Sequence, residues 1–423
     1  MNFKKVKLKN GLRVILVPMT ETQTVTAQIV VGTGSKYETK KVSGISHFLE
    51  HMVFKGTKKR PVSKMAMEEI ESVGGMSNAF TGKEQTGYWI KTPSKHWKLA
   101  LDVVSDIFLN PLIPAKEIEK ERGVILQEES MYRDTPVRYV WDVFEDLLYG
   151  DQPAGWNIVG TKKTIQSISR KELIDYFKKY YSLSSAVLVL AGNFNEEKAL
   201  EEIEKIFKLK KNTGNKNAKK KVIEKQSAPQ LKFHFKETDQ THLLLGFRSC
   251  DMFAKDRFSA VLAGTILGGG MSSRLFNLLR EKHGLTYYVD SASEQMTDTG
   301  YFFARAGVEH VNLKKVIGLI LEEMKKLKTK KVTNKELKNA KEFLKGKTMM
   351  TLESSSAVAS FLGDQELFRR KIKQPEELFI EIDKVTADDI IKASRKYLVN
   401  KNLNLAVVGP HKNESELKKF LKI

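Results

Sequence analysis

Cysteine is almost missing from this chain: Cys250 is the only one in 423 residues. A lone cysteine excludes an intramolecular disulfide framework and a zinc site built on several thiolates. It fits a reducing compartment, and the expected location is cytoplasmic. Long hydrophobic runs are missing too. The opening stretch MNFKKVKLKNGLRVILVP holds an apolar run of about five residues, too short for a signal-peptide core or a membrane span. It already alternates like a strand, with Asn-Gly as a turn. Folded structure is therefore expected from the start, with no membrane span. Histidine is also scarce, at 8 residues, so any place where histidines gather is informative.

Positive charge is plentiful. Lysine and arginine total 72 against 51 acidic residues, a net charge of +21. A basic face suits nucleic acid or an anionic surface. Here the lysines are scattered in the manner of solvated helices, and neither a zinc-finger nor an RNA-binding signature accompanies them, so no nucleic-acid partner is expected. One dense cluster, KLKKNTGNKNAKKK at residues 208–221, is rich in Asn and Gly and lacks apolar periodicity. It reads as a solvated linker. A chain of this length exceeds one ordinary core. The expected division is a first domain at 1–207, a lysine-rich linker at 208–229 and a second domain at 230–423.

The two halves repeat each other. The first closes with ISRKELIDYFKKYYSLSSAVLVLAGNFNEEKALEEIEKIF, the second with VTADDIIKASRKYLVNKNLNLAVVGPHKNESELKKFL. A shift of 217 places Tyr180 on Tyr397 and Gly192 on Gly409. Each copy reads as a helix, a buried strand, a glycine turn and a final helix. VTAQIVVGTGS and THLLLGFRSC look like core strands, while PSKHWKLALDVVSDIFL and NLKKVIGLILEEMKKL have helical apolar spacing. Strands and helices do not alternate regularly. The expected fold class is therefore α+β: two similar α/β-layer domains from an internal duplication.

Two of the scarce histidines lie in HFLEH, residues 47–51. On a helix, positions i, i+3 and i+4 share a face, so His47, Glu50 and His51 point into one space. Two neutral imidazoles are a usual zinc pair, and a free carboxylate beside them can act as a general base. A third ligand must come from elsewhere. The best source is EKERGVILQEES, where Glu121 and Glu128 lie seven apart on one helix face; one can bind the metal while the other holds a histidine ring. Glu129 points elsewhere and is the weaker choice. A surface helix carrying His, Glu and His by accident is the plainer alternative, expected in roughly one chain in a hundred. The flanking Phe48, Leu49, Met52, Val53 and Phe54 argue for a partly buried trio, and buried polar groups need partners.

GISHFLEHMVFKGT resembles the signature of the pitrilysin and insulin-degrading-enzyme family, the inverzincin peptidases with H-x-x-E-H. The likeness spans nearly the whole chain. NGLRVILVP, GGMSNAFTGKEQTGYW, ERGVILQEE and REKHGLTYYV are similar, in order, to the family's opening strand, substrate-side strand, third-ligand helix and arginine–tyrosine motif. The length fits the short two-domain branch that includes the mitochondrial processing peptidase. The resemblance implies a zinc endopeptidase of peptides or unfolded segments. His47, His51 and Glu128 would bind Zn2+, with Glu121 behind them and Glu50 activating water. Arg280 and Tyr287 would hold the substrate carbonyl, with Tyr288 as a one-residue alternative. Asn78, Ala79 and Phe80 would offer an edge strand to an extended peptide, where an ordinary edge strand is the plainer alternative. In the four-domain relatives the zinc lies in the first domain and the arginine–tyrosine pair in the last, which implies a homodimer with composite sites for a two-domain chain. Two other function classes stand beside this one. An inactive structural subunit is disfavoured by the intact HFLEH, and a basic nucleic-acid binder rests on charge alone. GGGMSS, residues 268–273, lacks the Lys-Ser/Thr ending of a phosphate loop and reads as a helix-terminating turn.

Overall fold

The structure is a computed structural model that describes residues 1–208, 219–412 and 417–423. Residues 209–218 of the expected linker lie outside the described residues. Two compact units form. One comprises residues 1–129, 157–220 and 349–374, the other residues 130–156, 221–348 and 375–423. Among the described residues no helix is long and apolar enough to cross a membrane.

The first unit is built on a six-stranded sheet of β1 (Lys4–Lys7), β2 (Arg13–Pro18), β3 (Thr24–Val31), β4 (Met76–Thr81), β5 (Thr86–Pro93) and β6 (Ala186–Gly192), in the order β1-β2-β6-β3-β5-β4. The second unit has β7 (Gln230–Phe235), β8 (Thr241–Ser249), β9 (Thr286–Gln295), β10 (Gly300–Val308) and β11 (Leu403–Gly409), in the order β7-β11-β8-β10-β9. Apart from β1, the orders superimpose strand for strand. In each, the first of these strands runs parallel to the last, β2 with β6 and β7 with β11, and the other pairs are antiparallel. The bounds of β2 and β6 shifted by 217 are those of β7 and β11, and the shifted start of β3 is the start of β8. The fold is α+β, and the duplication is present in its topology.

The second face of each sheet is covered by a helix from the other half of the sequence. Val358, Ala359, Leu362 and Leu367 of helix Ser355–Arg369 pack on Ile15, Val17, Val30, Val187 and Val189 of the first sheet. Val140, Val143, Phe144 and Leu148 of helix Pro136–Tyr149 pack on Leu244, Tyr301, Phe303, Ala406 and Val408 of the second. The shift of 217 carries Pro136–Tyr149 to 353–366, so these are equivalent helices that have changed places. β6 is buried along its whole length, and so is β11, so both faces of each sheet must be covered. A single cut within 208–229 would strip each sheet of one of its layers. The units therefore do not coincide with 1–207 and 230–423.

Candidate metal centre

HFLEH lies in an eight-residue helix, Ile45–Met52, whose Ile45, Phe48, Leu49 and Met52 are buried. That apolar packing fixes the helix against β4 and leaves the polar trio on one side. Glu121 and Glu128 come from helix Ala115–Asp134, held by buried Ile118 and Ile125. His47, His51 and Glu128 each offer one ligand atom, and the three atoms lie within 4.8 Å of one another. Glu128 Oε2 is 3.6 Å from His47 Nε2 and 3.5 Å from His51 Nε2. These spacings are long for hydrogen bonds. They are close to the separation of about 3.4 Å between two ligand atoms that share a tetrahedral zinc at ordinary bond lengths. The residues present therefore fit a zinc ion. Glu129 is not part of the cluster.

Glu121 takes the position behind the histidine. Its Oε2 stands 3.2 Å from His51 Nδ1, which turns Nε2 of that ring toward Glu128, and its Oε1 pairs with Lys55 at 2.7 Å. The two imidazoles meet edge to face at 4.7 Å. Burial, then the neighbouring His51, pushes His47 down to about 4, making it a neutral donor near pH 7. Burial also pulls on His51, but the hydrogen bond to Glu121 and the nearby Glu128 and Glu50 carboxylates outweigh it and raise that ring to about 9. Metal binding at His51 would therefore be coupled to release of a proton from that ring.

Glu50 is on the same helix, one residue before His51. Burial raises its carboxyl above the ordinary carboxylate range, against a hydrogen bond from Thr81. The Thr81 hydroxyl donates to Glu50 Oε2 at 2.5 Å. Nothing in the sequence singled out Thr81; its partner is set by the packing of the motif helix on β4. β4 is the outer strand of its sheet, bonded on one side to β5. Asn78, Ala79 and Phe80 sit on it as expected, with one qualification. The Phe80 ring packs against Gly87 and the cluster around Leu362, so at that position the backbone, not the ring, is what the edge can offer. The Ala79 N–H is taken at 2.8 Å by Asn78 Oδ1.

In the second unit, Arg280 and Tyr287 are neighbours. The guanidinium donates to the Tyr287 carbonyl at 2.6 Å and lies 5.4 Å from the centre of its ring. Tyr287 is 74% exposed. Tyr288, the register alternative, has its hydroxyl 2.9 Å from His242 Nδ1 and is half-buried. At the position equivalent to His47, Gly264 leaves no room for any side chain. A Cβ there would lie 2.9 Å from Ala292 of β9.

Known proteins resemble this chain along most of its length. Residues 13–162 match the model described as "Insulinase (Peptidase family M16)" and residues 167–344 match "Peptidase M16 inactive domain". The latter segment contains no HFLEH. An uncharacterised zinc protease of Bacillus subtilis is 35% identical over 97% of this chain and 99% of its own length. One of Rickettsia felis is 35% identical over 97% and 98%. Among solved structures, a protease from Helicobacter pylori superimposes with a TM-score of 0.89 at 25% identity, covering 97% of this chain and 99% of that one. An M16 inactive-domain protein from Pseudomonas fluorescens shares the fold at a TM-score of 0.88 and 20% identity, covering 98% and 100%. With two family models covering most of its length and full-length relatives above 30% identity, this chain belongs to the M16 peptidase family, in its short pitrilysin-like branch.

Proposed function

We propose that this chain is a zinc endopeptidase acting on peptides or on unfolded, extended protein segments. The observation that carries the proposal is the convergence of His47, His51 and Glu128, with Glu50 on the same helix face. The first three would hold the ion. Zinc, when bound, supplies Lewis-acid polarisation of the scissile carbonyl and makes water more acidic. Glu50 accepts the water's proton and later delivers it to the leaving amine. Thr81 keeps the Glu50 carboxylate in place, and Glu121 with Lys55 keeps the His51 ring in place. β4 accepts the substrate as an added strand, whose backbone bonds give affinity without demanding a particular sequence. Arg280 and the exposed Tyr287 bind the substrate carbonyl and stabilise negative charge on it. In a homodimer they would act on the partner's zinc site.

The test is metal analysis alongside cleavage of a quenched peptide. About one zinc per chain is expected, and His51→Ala should lose metal and activity together. Full stoichiometric zinc in that variant would remove the ligand assignment.

A further inference from the structure

The motif helix begins without a cap of its own. Its N-cap residue is Gly44, at φ 94°, and a Cβ there would lie 2.3 Å from the Val159 carbonyl oxygen and 2.9 Å from Gly160 Cα. The side chains that ordinarily cap helices, Ser, Thr, Asp and Asn, are therefore shut out of position 44. The exposed donors of the first turn still need acceptors, because the region is buried. Glu38 supplies them from six residues upstream. Its Oε2 accepts the Gly44 N–H at 2.7 Å and its Oε1 accepts the Ser46 N–H at 2.9 Å. The carboxylate is 4% exposed, so no water substitutes for it readily. The Ser46 hydroxyl, fully buried, joins the Tyr176 hydroxyl at 2.8 Å, which reaches Thr33 at 3.2 Å. A negative group at a helix N-terminus is also favoured by the helix dipole.

His47 follows Ser46 directly, at the third helical position. Any shift of the first turn moves its ring relative to Glu128, which comes from a different helix. We propose that Glu38 is the positioning residue of the metal centre: it is a remote cap that fixes the motif helix and so sets the aim of His47 and His51. This rests on the zinc reading above. Glu38 is not part of the candidate ligand cluster.

The experiment measures zinc affinity by competition with a chromophoric chelator on the full-length protein. Wild type, Glu38→Ala, Glu38→Gln and a control, Val189→Ala, are compared. Val189 is fully buried and packs with Val358 and Leu362, in a cluster that contains no residue of the motif helix, so its truncation is expected to lower stability alone. Glu38→Ala leaves two buried N–H groups without acceptors and should weaken zinc binding about 10- to 100-fold. Glu38→Gln keeps one acceptor oxygen and should fall between wild type and alanine; it carries the test if the alanine variant does not fold. The visible spectrum of the cobalt-loaded Glu38→Gln protein should differ from wild type, since the ligand geometry has changed. The control should bind zinc as wild type does. Glu38 variants that match wild-type affinity, or a control that loses as much affinity as they do, would overturn the proposal. A wild-type chain that takes up no zinc would overturn the metal reading itself, so the two failures are distinguishable.

Discussion

At the scale of single residues, the proposed centre would separate metal binding from proton transfer. Glu50 contributes no atom to the ligand cluster, so Glu50→Gln should keep its zinc and its fold while losing activity by about 10²- to 10⁴-fold, the usual worth of a general base. Substantial turnover in that variant, measured with the quenched peptide, would remove Glu50 as the base. Glu128→Gln should weaken zinc binding while Glu129→Gln should not; the reverse result would move the ligand by one residue. Thr81→Val removes the hydroxyl that holds Glu50. Its kcat should fall about tenfold with zinc content unchanged, and Thr81→Ser should restore it. A valine variant with wild-type kcat would make that hydrogen bond incidental. The Glu121 and Glu128 pair was legible in the sequence because helical spacing puts the two on one face. Thr81 and Glu38 were not, because a polar residue in a strand or loop finds its partner only through tertiary packing. Which of Tyr287 and Tyr288 is the exposed ring was hidden for a similar reason. Alternation says that one of the two turns inward, and the hydrogen bond to His242 says that it is Tyr288.

At the scale of elements, the entrance to the motif helix is tightly constrained. Gly44→Ala should destabilise the protein by at least about 2 kcal/mol, from left-handed strain plus overlap with the backbone of Val159 and Gly160. Denaturant melting checks this, and an unchanged midpoint would contradict it. Glu38 adds a pH dependence. Burial, against the Ser46 and Gly44 amides and the charge of Lys83, raises its carboxyl to about 7. The folded state then holds a proton that the unfolded chain has released by about pH 4.5. Stability should therefore be highest below that pH, fall by up to about 3 kcal/mol as pH rises to about 7, and level off above. Glu38→Gln should lack this component, so parallel pH profiles for the two proteins would refute the assignment. The core strands were legible from their buried apolar runs. The exchange of helices Pro136–Tyr149 and Ser355–Arg369 was not, since an apolar stripe shows which face is buried but not which sheet buries it.

At the scale of the whole molecule, the duplication does not repeat the candidate ligand cluster: the copy has Gly264 where the first half has His47, and its β9 backbone fills the space. The second half keeps Arg280 and Tyr287 instead. If a homodimer brings each pair to the partner's zinc site, mixing Glu50→Gln chains with Arg280→Ala chains under subunit exchange should return about a quarter of wild-type activity, since half the dimers are mixed and each has one intact site. No recovery despite proven exchange would end the shared-site arrangement. The central claim is more direct: zinc held by His47, His51 and Glu128, with Glu50 as base, hydrolyses peptide bonds. The measurement that tests it most directly is zinc content and quenched-peptide cleavage determined together, for wild type before and after chelation and for Glu50→Gln. The account predicts about one zinc per chain in both proteins, cleavage by wild type alone, and its loss on chelation and return on adding zinc. Cleavage that survives chelation, or that survives in Glu50→Gln, would contradict it.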